Sequence, residues 1–118
     1  MEKALLDFVT AKTQDLLAAP SACQEVKTAA TAWLAAVGTE KETEETAKYI
    51  AELEADIMPI DGLIAFGQTK LALSIFGAEG VKALQAHAQE LKASGAKYCD
   101  CPACAACKAI LDKKAEML

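Results

Sequence analysis

The run 98–111, YCDCPACAACKAIL, gathers four of the chain's five cysteines into nine residues: Cys99, Cys101, Cys104 and Cys107. Deprotonated thiols are soft, strongly donating ligands. Four of them around one centre suit tetrahedral zinc or an iron–sulfur cluster. The spacing C-x-C-x-x-C-x-x-C supplies four donors within reach of one another. Its inner C-x-x-C also has the spacing of a dithiol that cycles with a disulfide. A third possibility is that these are unligated thiols on an alanine-rich helix. The fifth cysteine, Cys23, stands far away in the sequence, so its relevance depends on the elements that carry it.

Those elements are legible from punctuation. Pro20, Gly38, Pro59, Gly77 and Gly95 cut the chain into segments of helical periodicity. The first carries Leu5, Phe8, Val9, Leu16 and Leu17 near one face. The second opens with Ser21 three residues before Gln24, a capping-box pattern, and stops at Gly38. The third opens with Thr39 and Glu42, again a capping box, and shows an apolar stripe of Ala47, Ile50, Leu53 and Ile57. A fourth begins at Asp61 as N-cap and runs to residue 76, apolar on most sides, which predicts a central helix. The fifth presents Val81, Leu84, Ala88 and Leu91, and the sixth starts with Pro102 in its first turn.

Composition agrees. Of 118 residues 26 are alanine and six are aromatic, which favours closely packed helices over strands. No segment alternates like a strand. The expectation is a single all-α domain over residues 1–118, an antiparallel up-and-down bundle of five or six helices with the cysteine cluster at the start of the last.

In such a bundle the second, fourth and sixth helices begin at one end. Cys23 then meets Cys99, Cys101 and Cys104. Helix N-termini offer N–H groups and a positive dipole end that stabilise thiolate. The predicted metal ligands are Cys23, Cys99, Cys101 and Cys104. Cys107, one turn beyond Cys104, is the alternative fourth ligand or a small buried apolar residue.

The remaining chemistry-bearing residues are sparse. His87 is the only histidine and flanks the apolar stripe of its segment. Glu40 to Asp56 reads as a solvated acidic face. No Glu-x-x-His pair supports a di-iron centre, and Gly62, Gly67, Gly77 and Gly80 make no phosphate loop. Net charge is −5 and every basic residue is lysine, so nothing offers the planar fork that nucleic-acid recognition favours. The acidic surface suits solubility or a protein partner with a basic patch. The opening MEKALLDFVTAK has early acidic residues and no apolar run of signal-peptide length, and no stretch is long enough to span a membrane. The chain reads as cytoplasmic, where clustered cysteines are more often metal ligands or redox groups than disulfides.

Three resemblances bear on the cysteines. CPACAAC resembles the C-x-x-C-x-x-C stretch of bacterial ferredoxins over seven residues, which implies an iron–sulfur electron carrier; the cysteine–proline that follows in that pattern is absent. CPAC at a helix start resembles the motif of thiol–disulfide oxidoreductases. It also resembles the all-α alkylhydroperoxidase-D-like family, which places a histidine four residues after the second cysteine where this chain has Lys108. The whole chain, with PIDGLIAFG and KYCDCPAC as its most distinctive runs, resembles short helical bacterial proteins labelled as heat-shock chaperones of the ninety-kilodalton type, without the ATPase domain. That resemblance implies a soluble cytosolic protein of chaperone-like role and assigns no cysteine. Zinc ranks ahead of iron–sulfur because it more commonly joins two chain segments. The expected function is metal binding rather than enzymatic turnover.

Overall fold

The computed structural model describes residues 1–118. It is all-helical, with seven helices: α1 (Lys3–Ala18), α2 (Gln24–Ala36), α3 (Glu42–Asp56), α4 (Ile60–Phe66), α5 (Lys70–Ala93), α6 (Pro102–Leu111) and α7 (Lys114–Met117). The only extended pairing is an isolated antiparallel bridge between Pro59 and Tyr98. None of the helices is long and apolar enough to cross a membrane. Internal contacts gather in two units, Met1–Ile57 with Asp100–Leu118, and Met58–Cys99.

In the first unit α1 packs on α2 and α6, α2 on α3, and α3 on α6. These pairings close a ring of four helices around Val9, Leu16, Val26, Trp33, Tyr49, Ile50, Leu53 and Ile110, all at most 2% exposed. Two hydrogen bonds cross this core. The Trp33 indole N–H donates to Thr46 Oγ1 at 2.9 Å, and Thr13 Oγ1 and Tyr49 Oη meet at 2.9 Å. Trp33 and Tyr49 also stack, ring centroids 5.5 Å apart. Alanine at the surrounding positions lets helices approach closely enough for these large side chains to fill the interior.

The caps differ from expectation in instructive ways. Cys23, not Ser21, is the N-cap of α2. The Ser21 hydroxyl is turned elsewhere and accepts the Ala103 N–H of α6 at 3.4 Å. At the start of α3, Glu42 reaches back to the Gly38 N–H at 3.2 Å, while Thr39 Oγ1 accepts from Lys41 N–H at 3.2 Å. The capping-box residues are therefore used, but within a turn that precedes the helix. The expected stripe of α3 also shifts. Ala47 is exposed, and Thr46 and Tyr49 take the inner face because each hydroxyl finds a buried partner.

In the second unit the expected helix from Asp61 to residue 76 is two helices. Pro59 caps α4, which ends at Gly67, and Thr69 starts α5 by accepting the Ala72 N–H at 3.1 Å. Within α5, Gly77 adopts φ +74° and ψ 171°, so residues 70–76 and 78–93 are separate helical stretches across a kink. That left-handed-side φ is open to glycine and costly for other residues. The centrality expected of this segment also fails. Leu71, Leu73, Ile75 and Phe76 are 50 to 61% exposed. The unit's core is instead Ile60, Leu63 and Ala88, with Met58, Ile64, Leu84, Leu91 and Cys99 packed against it.

Candidate metal centre

Each sulfur of the cysteine run is positioned by a different local device. Cys99 sits on the short extended pairing of the second unit. Its N–H donates to Met58 O at 2.8 Å, two residues from the Ile60 N–H bond to Lys97 O at 2.9 Å. The side chain packs against the Ile60–Leu63–Ala88 core. Cys101 is the N-cap of α6, and Pro102 follows at the first helical position, where its missing N–H costs nothing. The Cys101 sulfur accepts the Cys104 N–H at 3.4 Å, the capping interaction usually made by an oxygen. Cys104 lies on the inner face of α6 with Ala103, Ala106, Cys107 and Ile110.

The sulfurs of Cys99, Cys101 and Cys104 all lie within 4.8 Å of one another. Cys99 and Cys101 are half-buried and Cys104 is buried. None of the five cysteines is in a disulfide. Three thiolates at that separation can converge on one ion after small side-chain rotations.

Cys23 and Cys107 stand outside this mutually close set, but they are not remote from it within the first unit. Cys23 is exposed at the start of α2. Ser21, two residues earlier, is hydrogen-bonded to Ala103, so the starts of α2 and α6 lie side by side. The Cys107 thiol is pushed up to about 12, by burial first and then by the negative fields of Asp56, Cys101 and Cys23. Cys23 is raised as well. Partial burial is the main cause, opposed by the Val26 N–H, and Asp56 and Glu25 add to the rise. The expectation that Cys23 joins the others in one compact set is not met by the side-chain positions.

Asp56 departs from the solvated acidic face expected of Glu40 to Asp56, because its Oδ2 is buried. It closes α3, where a carboxylate opposes the negative end of the helix dipole, and that awkward placement was the available signal. Its Oδ2 is shielded from solvent and has no hydrogen-bond partner. Its charge acts on Cys23 and Cys107 and raises Glu52, whose shift comes first from the contact with Asp56 and then from partial burial. A carboxylate held this way among thiols makes their surroundings more favourable to a cation. His87 lies exposed on α5 and is not among the clustered ligands.

No protein-family profile, curated protein or solved structure matches this chain.

Proposed function

We propose that this chain is a cytoplasmic metal-binding helical protein, with zinc the favoured ion and an iron–sulfur cluster the alternative. The observation that carries the reading is the mutual approach of the Cys99, Cys101 and Cys104 sulfurs within 4.8 Å. Three sulfurs leave one position of a tetrahedral centre to be filled. Cys23 is the proposed fourth ligand, because it shares a unit with Cys101 and Cys104 and heads the helix beside theirs. Its exposed side chain has the freedom to swing inward. Cys107 is the alternative, at the cost of extracting a buried thiol's proton. The antiparallel up-and-down arrangement belongs to this proposal, since it is the topology that puts both helix starts at one end.

The test is reconstitution under anaerobic conditions followed by elemental analysis and absorption spectroscopy. A colourless protein holding one zinc ion supports the favoured reading. A brown protein with sulfide-to-iron absorption moves the assignment to an electron carrier. A second reading, a small chaperone-like interaction protein with inert thiols, is favoured by one observation only: the exposed Leu71, Leu73, Ile75 and Phe76. It predicts a reduced protein that takes up neither metal.

A further inference from the structure

We propose that the outward face of residues 70–76 pairs with the same face of a second copy of this chain, antiparallel about a two-fold axis, so that the protein is a homodimer. The proposal does not rest on the metal reading above.

This part of α5 is apolar on the side that faces water. Of residues 70–76 only Ala72, the smallest apolar one, is buried. Leu71, Leu73, Ile75 and Phe76 stand 50 to 61% exposed. Leu71 and Ile75 lie one turn apart, as do Leu73 and Phe76, and at 3.6 residues per turn the small, exposed Ser74 falls between the two pairs. A second helix can therefore approach closely over Ser74, with large side chains on either flank. Clustered exposure of this kind marks a contact surface. The backbone is also fixed before any partner arrives. Thr69 caps its start by accepting the Ala72 N–H at 3.1 Å, and the left-handed-side φ of Gly77 ends it. Phe76 meets Phe66 edge to face, ring centroids 6.4 Å apart, and a Cβ on Gly80 would stand 2.9 Å from the Phe76 Cβ. A segment held in this way has less freedom to lose on association.

The charge pattern names the occupant. Residues 71–78 carry no charge; Lys70 precedes them and Glu79 follows, both exposed. A two-fold contact is self-complementary, so each residue meets what lies opposite it on an identical surface. Antiparallel pairing sets Lys70 of each copy toward Glu79 of the other, twice per dimer. Parallel pairing would set like charges together. The chain's net charge of −5 opposes self-association elsewhere, whereas residues 62–79 hold one lysine and one glutamate and are neutral in sum. A partner steered by net charge finds nothing to follow on this face, and a second copy finds its own complement. Stable interfaces bury about 800 Å² per partner. Four large side chains on so short a stretch fall below that, so the dimer is weak and concentration-dependent.

The full chain, kept reduced with dithiothreitol, is examined by sedimentation velocity over a concentration series. The expected result is a reversible passage from one chain mass to two. Ile75→Glu, exposed and therefore compatible with the fold, should weaken association on the order of tenfold or more with an unchanged far-UV circular dichroism spectrum. Lys70→Glu and Glu79→Lys should each weaken it on the order of fivefold, because each sets like charges opposite one another twice. The double variant Lys70→Glu with Glu79→Lys should restore the parent's association. A chain that is monomeric at every concentration, a dimer that Ile75→Glu leaves intact, or a double variant no better than the single ones overturns the proposal. A monomer that instead keeps reduced insulin chains in solution also overturns it, and gives this face to the chaperone-like reading.

Discussion

Cys107 is the thiol whose surroundings most oppose a charge. It is 3% exposed and its ionisation is pushed up to about 12, chiefly by burial. Tyr49, close enough to feel it, is also raised to about 12 by burial, with the Thr13 hydrogen bond pulling the other way. Both groups hold their protons more tightly when folded than their ordinary values of 9.0 and 10.0 allow. The sign follows from linkage. Above pH 9 the unfolded chain has released protons that the folded chain keeps, so stability falls as pH rises from about 9 toward 12. Thermal midpoints measured across that range should decline, and Cys107→Ala should flatten the lower part of the decline; a flat profile for the parent protein contradicts the burial account. The same burial predicts that metal-free protein at neutral pH is alkylated at exposed Cys23 well before Cys107, as peptide mapping after a brief iodoacetamide pulse would show. At this scale the sequence pointed to Cys99, Cys101 and Cys104, whose sulfurs lie within 4.8 Å of one another. It left Cys107 open between ligand and core residue, because spacing cannot report burial. It placed Asp56 on a solvated acidic face, because the shielding of its Oδ2 depends on what folds beside it.

Helix starts and stops explain most of what was legible at the scale of elements. Proline and glycine marked the breaks because their backbone restrictions act locally. Pro102 indeed opens α6, and Gly38, Gly77 and Gly95 all take positive φ. Apolar periodicity could not see the break at Gly67, since α4 and residues 70–76 are both apolar and differ only in where the turn falls. It also underrated Thr13 and Thr46, polar residues made compatible with a core by their partners Tyr49 and Trp33. Two substitutions test these points. Gly77→Ala meets no neighbouring atom within 4 Å, so its cost is the backbone's, about 1–3 kcal/mol for a φ,ψ region essentially confined to glycine. An unchanged midpoint would mean that the kink at Gly77 is not held in solution. Thr46→Val leaves the buried Trp33 N–H without its acceptor and should cost about 1–3 kcal/mol in denaturant unfolding, whereas Thr28→Val on the exposed side of α2 should be nearly neutral.

Across the whole molecule, the clustered cysteines are proposed to hold a metal ion. Fold class was accessible from composition, because an alanine-rich chain with few aromatics has little alternative to packed helices. The site was accessible only in part. Sequence proximity announces Cys99, Cys101 and Cys104, while Cys23 enters through topology, which a single sequence constrains weakly. Five single cysteine-to-alanine variants, each purified anaerobically, offered zinc and then assayed for bound metal and thermal midpoint, test this most directly. The parent should hold one zinc ion. Cys99→Ala, Cys101→Ala and Cys104→Ala should each lose most of it and lower the midpoint together, because an ion bound only by the folded state stabilises that state. Cys23→Ala should do the same if it supplies the fourth sulfur, and Cys107→Ala should keep the metal with a packing loss of about 1 kcal/mol. Loss of metal in Cys107→Ala with retention in Cys23→Ala would place all four ligands in the C-terminal run. A parent protein that stays metal-free, with all five thiols titratable, would contradict the account.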